Sequence, residues 1–179
     1  MKYPSFLIKK EEYELYSRKI EIPINSITFD SRQVTKNSLF VAVKGTITDG
    51  HNFIYDASRS GAIAIICEEL PFHLNENVTY IQVIDSSYAL GIIASNFYDN
   101  PSSKLKLIGV TGTNGKTTIV TLLYNLFTQL GYKVGLISTV KNFVGNKEYH
   151  STHTTPDPIQ LNNLLQQMVT EGCTHCFME

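Results

Sequence analysis

The chain has 179 residues, 42% of them hydrophobic and 17% charged, with a formal net charge of -1. That balance belongs to a globular protein with a core of its own, and it argues against a disordered polymer or a broadly basic nucleic-acid-binding surface. No run approaches the ~20 apolar residues of a membrane helix, the N-terminus lacks a signal-peptide stretch, and three cysteines do not make a disulfide framework, so a cytoplasmic address is expected.

After a polar lead rich in Lys and Glu, residues 26–29 and 39–43 read as short strands of β-branched and aromatic residues. Residues 52–60 read as a short helix stopped by Gly61. The continuous apolar run 62–67 has the pattern of a strand buried on both faces, and 79–84 reads as another strand. Asp85-Ser86-Ser87 then caps a helix running to about Tyr98. Asp99-Asn100-Pro101-Ser102-Ser103 is turn chemistry, which places a domain boundary there, with one domain over 1–100 and a second over 101–179.

Beyond the boundary the order is strand (105–110), loop, helix and strand (134–138). In the helix, Ile119, Leu122, Leu123, Leu126, Phe127 and Leu130 follow helical spacing and predict one apolar face, closed by Gly131. Residues 141–150 predict a hairpin turning at Gly145-Asn146. Ile159, Leu161, Leu164, Leu165 and Met168 line a second amphipathic helix ended by Gly172, and 176–179 reads as the tip of a strand. The expected class is α/β, and the second domain reads as the first part of a larger one with a mostly parallel sheet.

The most specific segment is Gly109-Val110-Thr111-Gly112-Thr113-Asn114-Gly115-Lys116-Thr117-Thr118. A strand feeds a glycine-rich loop that opens a helix, the context of a phosphate-binding loop. Glycines let backbone N–H groups converge on phosphate oxygens, and the helix N-terminus adds unpaired donors and the positive end of a dipole. Lys116 is placed to reach the terminal phosphates and the Thr117 hydroxyl to sit on Mg²⁺. The front is a variant, since the Walker pattern asks for glycine at the position of Val110. A GTPase base-reading motif is missing: Asn146-Lys147-Glu148-Tyr149 lacks the aspartate.

Gly112-Thr113-Asn114-Gly115-Lys116-Thr117-Thr118 resembles the ATP loop of the Mur ligase superfamily. Phe29-Asp30-Ser31-Arg32, then Leu39-Phe40-Val41-Ala42-Val43-Lys44-Gly45 and Asp49-Gly50-His51, resemble the sugar-nucleotide domain of its members that act on UDP-MurNAc-peptides. His153-Thr154-Thr155-Pro156 and Phe177-Met178-Glu179 resemble segments of the third-residue (MurE-type) ligases. The resemblance implies a small α/β domain over 1–100 that binds UDP-MurNAc-L-Ala-D-Glu, followed over 101–179 by the start of a P-loop ATPase domain. It implies that Phe29, Ser31, Thr46, Ile47 and Thr48 meet the uridine end. It carries over His153, Thr154 and Thr155 as contacts to the muramoyl-peptide part, although many relatives have Asn at the position of His153. ATP falls to residues 112–118, Mg²⁺ to Thr117 and Glu179, and the catalytic cation is Lys116.

The implied reaction is amide synthesis through an acyl phosphate, with ATP, Mg²⁺, the UDP-MurNAc-dipeptide and an amino acid as partners. Meso-diaminopimelate is the expected acceptor and L-lysine the other option; a monomer without nucleic-acid or membrane partners is expected. In relatives a carbamylated lysine and the acceptor-binding domain lie further along, so these residues alone are expected to be inactive. Two alternatives stand: the family's D-Ala-D-Ala-adding ligase, and a non-catalytic sugar-nucleotide-binding module. On their own residues, Ser31 and Arg32 offer a hydroxyl and a guanidinium suited to a diphosphate, but a strand-end turn with Arg32 in a surface ion pair is the plainer reading. Thr154 and Thr155 equally suit a turn before Pro156, and Glu179 a solvated carboxylate. Cys173-Thr174-His175-Cys176 has zinc-like spacing with His150 and His153. Strand alternation would send the two thiols to opposite faces, one buried and one partly exposed, which argues against a metal.

Overall fold

The computed structural model describes residues 13–16, 23–45, 48–150 and 156–179. The chain divides into two compact units, Met1–Phe97 and Tyr98–Glu179. Among the described residues no helix is long and apolar enough to cross a membrane.

In the first unit, strands β1 (Tyr13–Tyr16), β2 (Ser26–Thr28), β3 (Ser38–Val41), β4 (Ala62–Cys67) and β5 (Thr79–Val83) form one sheet in the order β1-β5-β4-β3-β2. β2, β3, β4 and β5 run parallel, and β1 joins the edge antiparallel to β5. β3 and β4 are central, which explains their unbroken apolar sequence: Leu39, Phe40, Val41, Ala64, Ile65, Ile66 and Cys67 are all buried. The sequence pattern shows no strand in the polar lead, because a four-residue edge strand is too short to carry a periodic signal. Helix α1 (Ile54–Ser60) follows a short 3₁₀ turn at Gly50–Phe53, ends on Gly61 and packs Ile54 and Ala57 on the sheet. Helix α2 (Ser86–Phe97) is capped by the Asp85 carboxylate, which accepts from the Tyr88 N–H at 2.9 Å.

In the second unit, strands β6 (Lys106–Gly109), β7 (Val134–Ile137), β8 (Lys141–Val144), β9 (Lys147–His150) and β10 (His175–Met178) form a sheet in the order β6-β10-β7-β8-β9. The last strand in sequence inserts, parallel, between β6 and β7, while β8 and β9 make the antiparallel hairpin. Helices α3 (Lys116–Gln129) and α4 (Pro158–Thr170) cover opposite faces of this sheet. Asp157 starts α4, accepting the N–H groups of Ile159 and Gln160 at 2.9 Å each.

Two expectations need correction. In α3, Val120, Leu123, Tyr124 and Phe127 pack toward Val134, Leu136 and Phe177, whereas four of the six residues of the predicted face, Ile119, Leu122, Leu126 and Leu130, are exposed. The helix carries two adjoining apolar stripes, and periodicity cannot say which of them the sheet takes. Cys173 and Cys176 are both buried and belong to one apolar cluster with Leu165 and Met168. Cys173 lies before β10 begins, so strand alternation does not govern it. Burial pushes the Cys176 thiol up to about 12, which makes it an inert core group. His175 turns to the other face of the sheet, against Phe127 and Tyr132.

Candidate functional site

Two places in the fold gather the candidate residues, one in each unit. In the first, β2 ends at Thr28 and the chain turns through Phe29 and Asp30 into a 3₁₀ turn at Ser31–Gln33. Beside it, β3 ends and the chain makes a tight loop, closed by bonds from Gly45 N–H to the Thr48 carbonyl (3.2 Å) and from Gly50 N–H to the Val43 carbonyl (2.9 Å). Only glycine allows that closure, because a Cβ on Gly50 would lie 2.7 Å from the Val43 nitrogen and 2.8 Å from its oxygen.

Between turn and loop lies a cleft of about 570 Å³ lined by Phe29, Asp30, Ser31, Arg32, Val43, Gly45, Thr48, Gly50 and Phe53. Phe29, Ser31 and Thr48 thus share one concavity; Thr46 and Ile47 lie outside the described residues. Arg32 takes the plainer of its two readings. Its side chain is 87% exposed, and its Nε and Nη2 donate to the two Asp30 oxygens at 2.9 and 2.8 Å. This bidentate pairing holds the Asp30 carboxyl below its ordinary range.

The second site lies where β6 gives way to α3. The Val110 N–H donates to the Met178 carbonyl at 2.8 Å, tying the loop to β10 before it leaves the sheet. Gly112 and Gly115 take φ of 143° and 78°, which lets the loop fold over the start of α3. Lys116 leads the helix, and its ammonium donates back to the Gly112 carbonyl at 2.6 Å. The Thr117 hydroxyl donates to Glu179 Oε2 at 2.6 Å, and the Thr139 N–H donates to Glu179 Oε1 at 2.5 Å.

Burial pushes the Glu179 carboxyl up, but bonds from Thr117 and Thr139 and the nearby Lys116 charge outweigh it, and the group sits below its ordinary range. Insertion of β10 between β6 and β7 creates this arrangement, by bringing Glu179 to the carboxyl ends of both neighbours, where open α/β sheets take ligands. An ionised carboxylate beside a hydroxyl, at the mouth of a glycine loop, is the hard-oxygen pairing that suits Mg²⁺. Nothing in the sequence singles out Thr139, because it meets Glu179 through strand order, 40 positions apart, rather than through a local motif. His153, Thr154 and Thr155 lie outside the described residues.

Residues 23–98 match the family model described as "Mur ligase family, catalytic domain", and residues 110–179 match "Mur ligase middle domain". The chain belongs to the Mur ligase family. Among its relatives, it is 59% identical over 174 residues to the UDP-N-acetylmuramoyl-L-alanyl-D-glutamate–2,6-diaminopimelate ligase of Cytophaga hutchinsonii, covering 97% of this chain and 36% of the relative. It is 60% identical over 159 residues to the ligase of the same name from Bacteroides fragilis, covering 89% of this chain and 33% of the relative. The chain therefore spans about a third of the length of these Mur ligases.

Among solved structures, a ligase of that name superposes with a TM-score of 0.72 at 24% identity, over 91% of this chain and 33% of the other, a likeness of fold. The MurF ligase of Thermotoga maritima in complex with ADP gives a TM-score of 0.57 at 28% identity, over 86% of this chain and 31% of that one.

Proposed function

We propose that this chain belongs to a cytoplasmic ATP-dependent ligase that adds meso-diaminopimelate to UDP-MurNAc-L-Ala-D-Glu in peptidoglycan precursor synthesis. The single observation that carries the chemistry is the Lys116, Thr117 and Glu179 grouping on the glycine loop. The acceptor is named on the strength of the relatives' names, at 59% and 60% identity.

In this reading Phe29, Ser31, Thr46, Ile47 and Thr48 receive the uridine end of the substrate, and His153, Thr154 and Thr155 its muramoyl-peptide part. Residues 112–118 hold ATP through their backbone N–H groups. Lys116 swings from the Gly112 carbonyl to the phosphates and neutralises charge as the γ-phosphoryl group passes to the free D-glutamyl carboxylate, giving an acyl phosphate and ADP. The amine of the amino acid attacks the acyl carbon, the amide C–N bond forms, the C–O bond to phosphate breaks and the amine loses a proton. Mg²⁺, held by Thr117 and Glu179, would shield phosphate charge. A monomer acting on small molecules, without nucleic acid or membrane, is the arrangement proposed.

The test is a ligase assay on the full-length enzyme with ATP, Mg²⁺ and UDP-MurNAc-L-Ala-D-Glu. The expected result is ADP release and a UDP-MurNAc-tripeptide with meso-diaminopimelate, little product with L-lysine, and none when D-Ala-D-Ala is the only amine. Binding of the nucleotide sugar without turnover under these conditions would favour the non-catalytic binding module.

A further inference from the structure

The loop beside the Phe29 cleft has two legs, and both are tied to one residue that does not line the cleft. Glu68 follows the end of β4. On one leg, the Lys44 N–H donates to Ser86 Oγ at 3.2 Å, and Ser86, itself fully buried, donates its hydroxyl (2.7 Å) and its N–H (2.9 Å) to Glu68 Oε1. On the other leg, Asp49 Oδ1 meets His51 Nδ1 at 2.6 Å, and His51 Nε2 accepts the N–H of Glu68 at 2.8 Å and of Glu69 at 3.3 Å. The Glu68 carbonyl is also engaged, accepting from the Gln82 amide at 2.7 Å. The N–H, the carbonyl and the carboxylate of Glu68 are thus all in use.

These bonds define the imidazole. Two N–H groups aim at Nε2, so that nitrogen carries the lone pair and the proton is on Nδ1, donated to Asp49. The ring side chain is 14% exposed, enough shelter for its bonds to hold geometry rather than exchange freely with water. Lys44 and Asp49 themselves face each other across an antiparallel bridge, so fixing both fixes the base of the loop. Gly45 and Thr48, which line the cleft, stand directly above that base.

We propose that His51 and Glu68 are positioning residues for sugar-nucleotide binding, acting together through Asp49 and Ser86 to hold the two legs of the loop, residues 44–45 and 48–49, beside the cleft. This rests on the reading of the cleft as the nucleotide-sugar site. Neither residue lines the cleft. A loop left to find its bound shape only on binding loses affinity through ordering, whereas one bolted at both legs does not.

The test uses the full-length enzyme and two variants, His51→Phe, which keeps a ring but loses all three ring bonds, and Glu68→Gln, which keeps the backbone and one acceptor oxygen. For His51→Phe, Kd and KM for UDP-MurNAc-L-Ala-D-Glu should rise about tenfold or more, the effect of losing bonds that pre-organise a binding loop. KM for ATP and kcat should stay within about twofold, since chemistry and ATP binding depend on other groups. Glu68→Gln should move the same constants less, and serves if His51→Phe does not fold. Unchanged sugar-nucleotide affinity in a folded variant, or an equal loss in KM for ATP and kcat, would overturn the proposal.

Amide hydrogen exchange at Gly45 and Gly50 keeps the two readings apart. Faster exchange in His51→Phe than in wild type is expected whatever the cleft binds, and equal protection would sink the positioning role. Failure of the wild type to bind the nucleotide sugar, with exchange still sensitive to His51, would overturn the assignment of the cleft alone.

Discussion

The two candidate sites are built on opposite plans. In the first unit the loop beside the cleft is held from below by side chains, His51, Glu68 and Ser86, whose polar groups are paired with one another. In the second unit the phosphate loop is shaped by its backbone, with Gly112 and Gly115 at positive φ, and is anchored at its ends by Val110 and Thr117. The comparison teaches where each site is vulnerable. A side-chain scaffold fails when one member is removed, while a backbone loop tolerates side-chain change except at the groups that face the ligand.

The sharpest test of that contrast is Lys116→Ala in the full-length enzyme. Among the described residues Lys116 bonds loop carbonyls, Gly112 at 2.6 Å and Thr113 at 3.5 Å, so its loss should leave the fold standing. Turnover should fall by about a hundred- to a thousand-fold or more, the scale for removing a group that stabilises transition-state charge. Nucleotide-sugar affinity, measured by calorimetry, should not move, and an equal loss of both would break the division of labour between the units.

Gly50→Ala addresses the opposite plan. The new methyl would meet backbone atoms of Val43 that cannot swing aside, so the loop must shift. Destabilisation of about 1–3 kcal/mol in chemical denaturation is expected, together with weaker nucleotide-sugar binding.

Asp157→Ala removes the two-bond cap of α4 and should cost about 1 kcal/mol, read in the same denaturation experiment, without changing either ligand's affinity.

The smallest effect is expected from pH. Backbone and side-chain bonds from Ser86 hold the Glu68 carboxyl below its ordinary range. A depressed carboxyl contributes stability that is fully present above its unfolded value and disappears as pH falls through the folded one. The Glu68 contribution to nucleotide-sugar affinity, read as the difference between wild type and Glu68→Gln, should therefore hold down to about pH 5 and disappear only below the ordinary glutamate range near pH 4. Loss of affinity well above that range would mean that another group controls the loop.

Much of this was legible before any coordinates. The glycine loop, its helix and the Gly145-Asn146 hairpin are local features, written in neighbouring residues whose backbone preferences agree. The buried β4 matches the predicted run at 62–67 because a strand covered on both faces has no polar positions to blur its ends. β1, four residues at the sheet edge, is too short to show a period, and Ile84, counted in the strand by its apolar character, lies beyond β5 and is exposed. The outward stripe of α3 was indistinguishable from the inward one by spacing alone.

The sequence by itself determined the class, the family resemblance and the chemistry of the phosphate loop, because those depend on residue type at short spacing. Tertiary structure decided everything that depends on strand order. Glu179 meets Thr117, 62 positions away, only because β10 inserts between β6 and β7. Likewise, His51 finds the amide of Glu68 only because β3 and β4 lie side by side and end at the same edge of the sheet. Such long-range pairings arise from the burial of whole strands and helices, and no local pattern of side chains encodes which strands become neighbours.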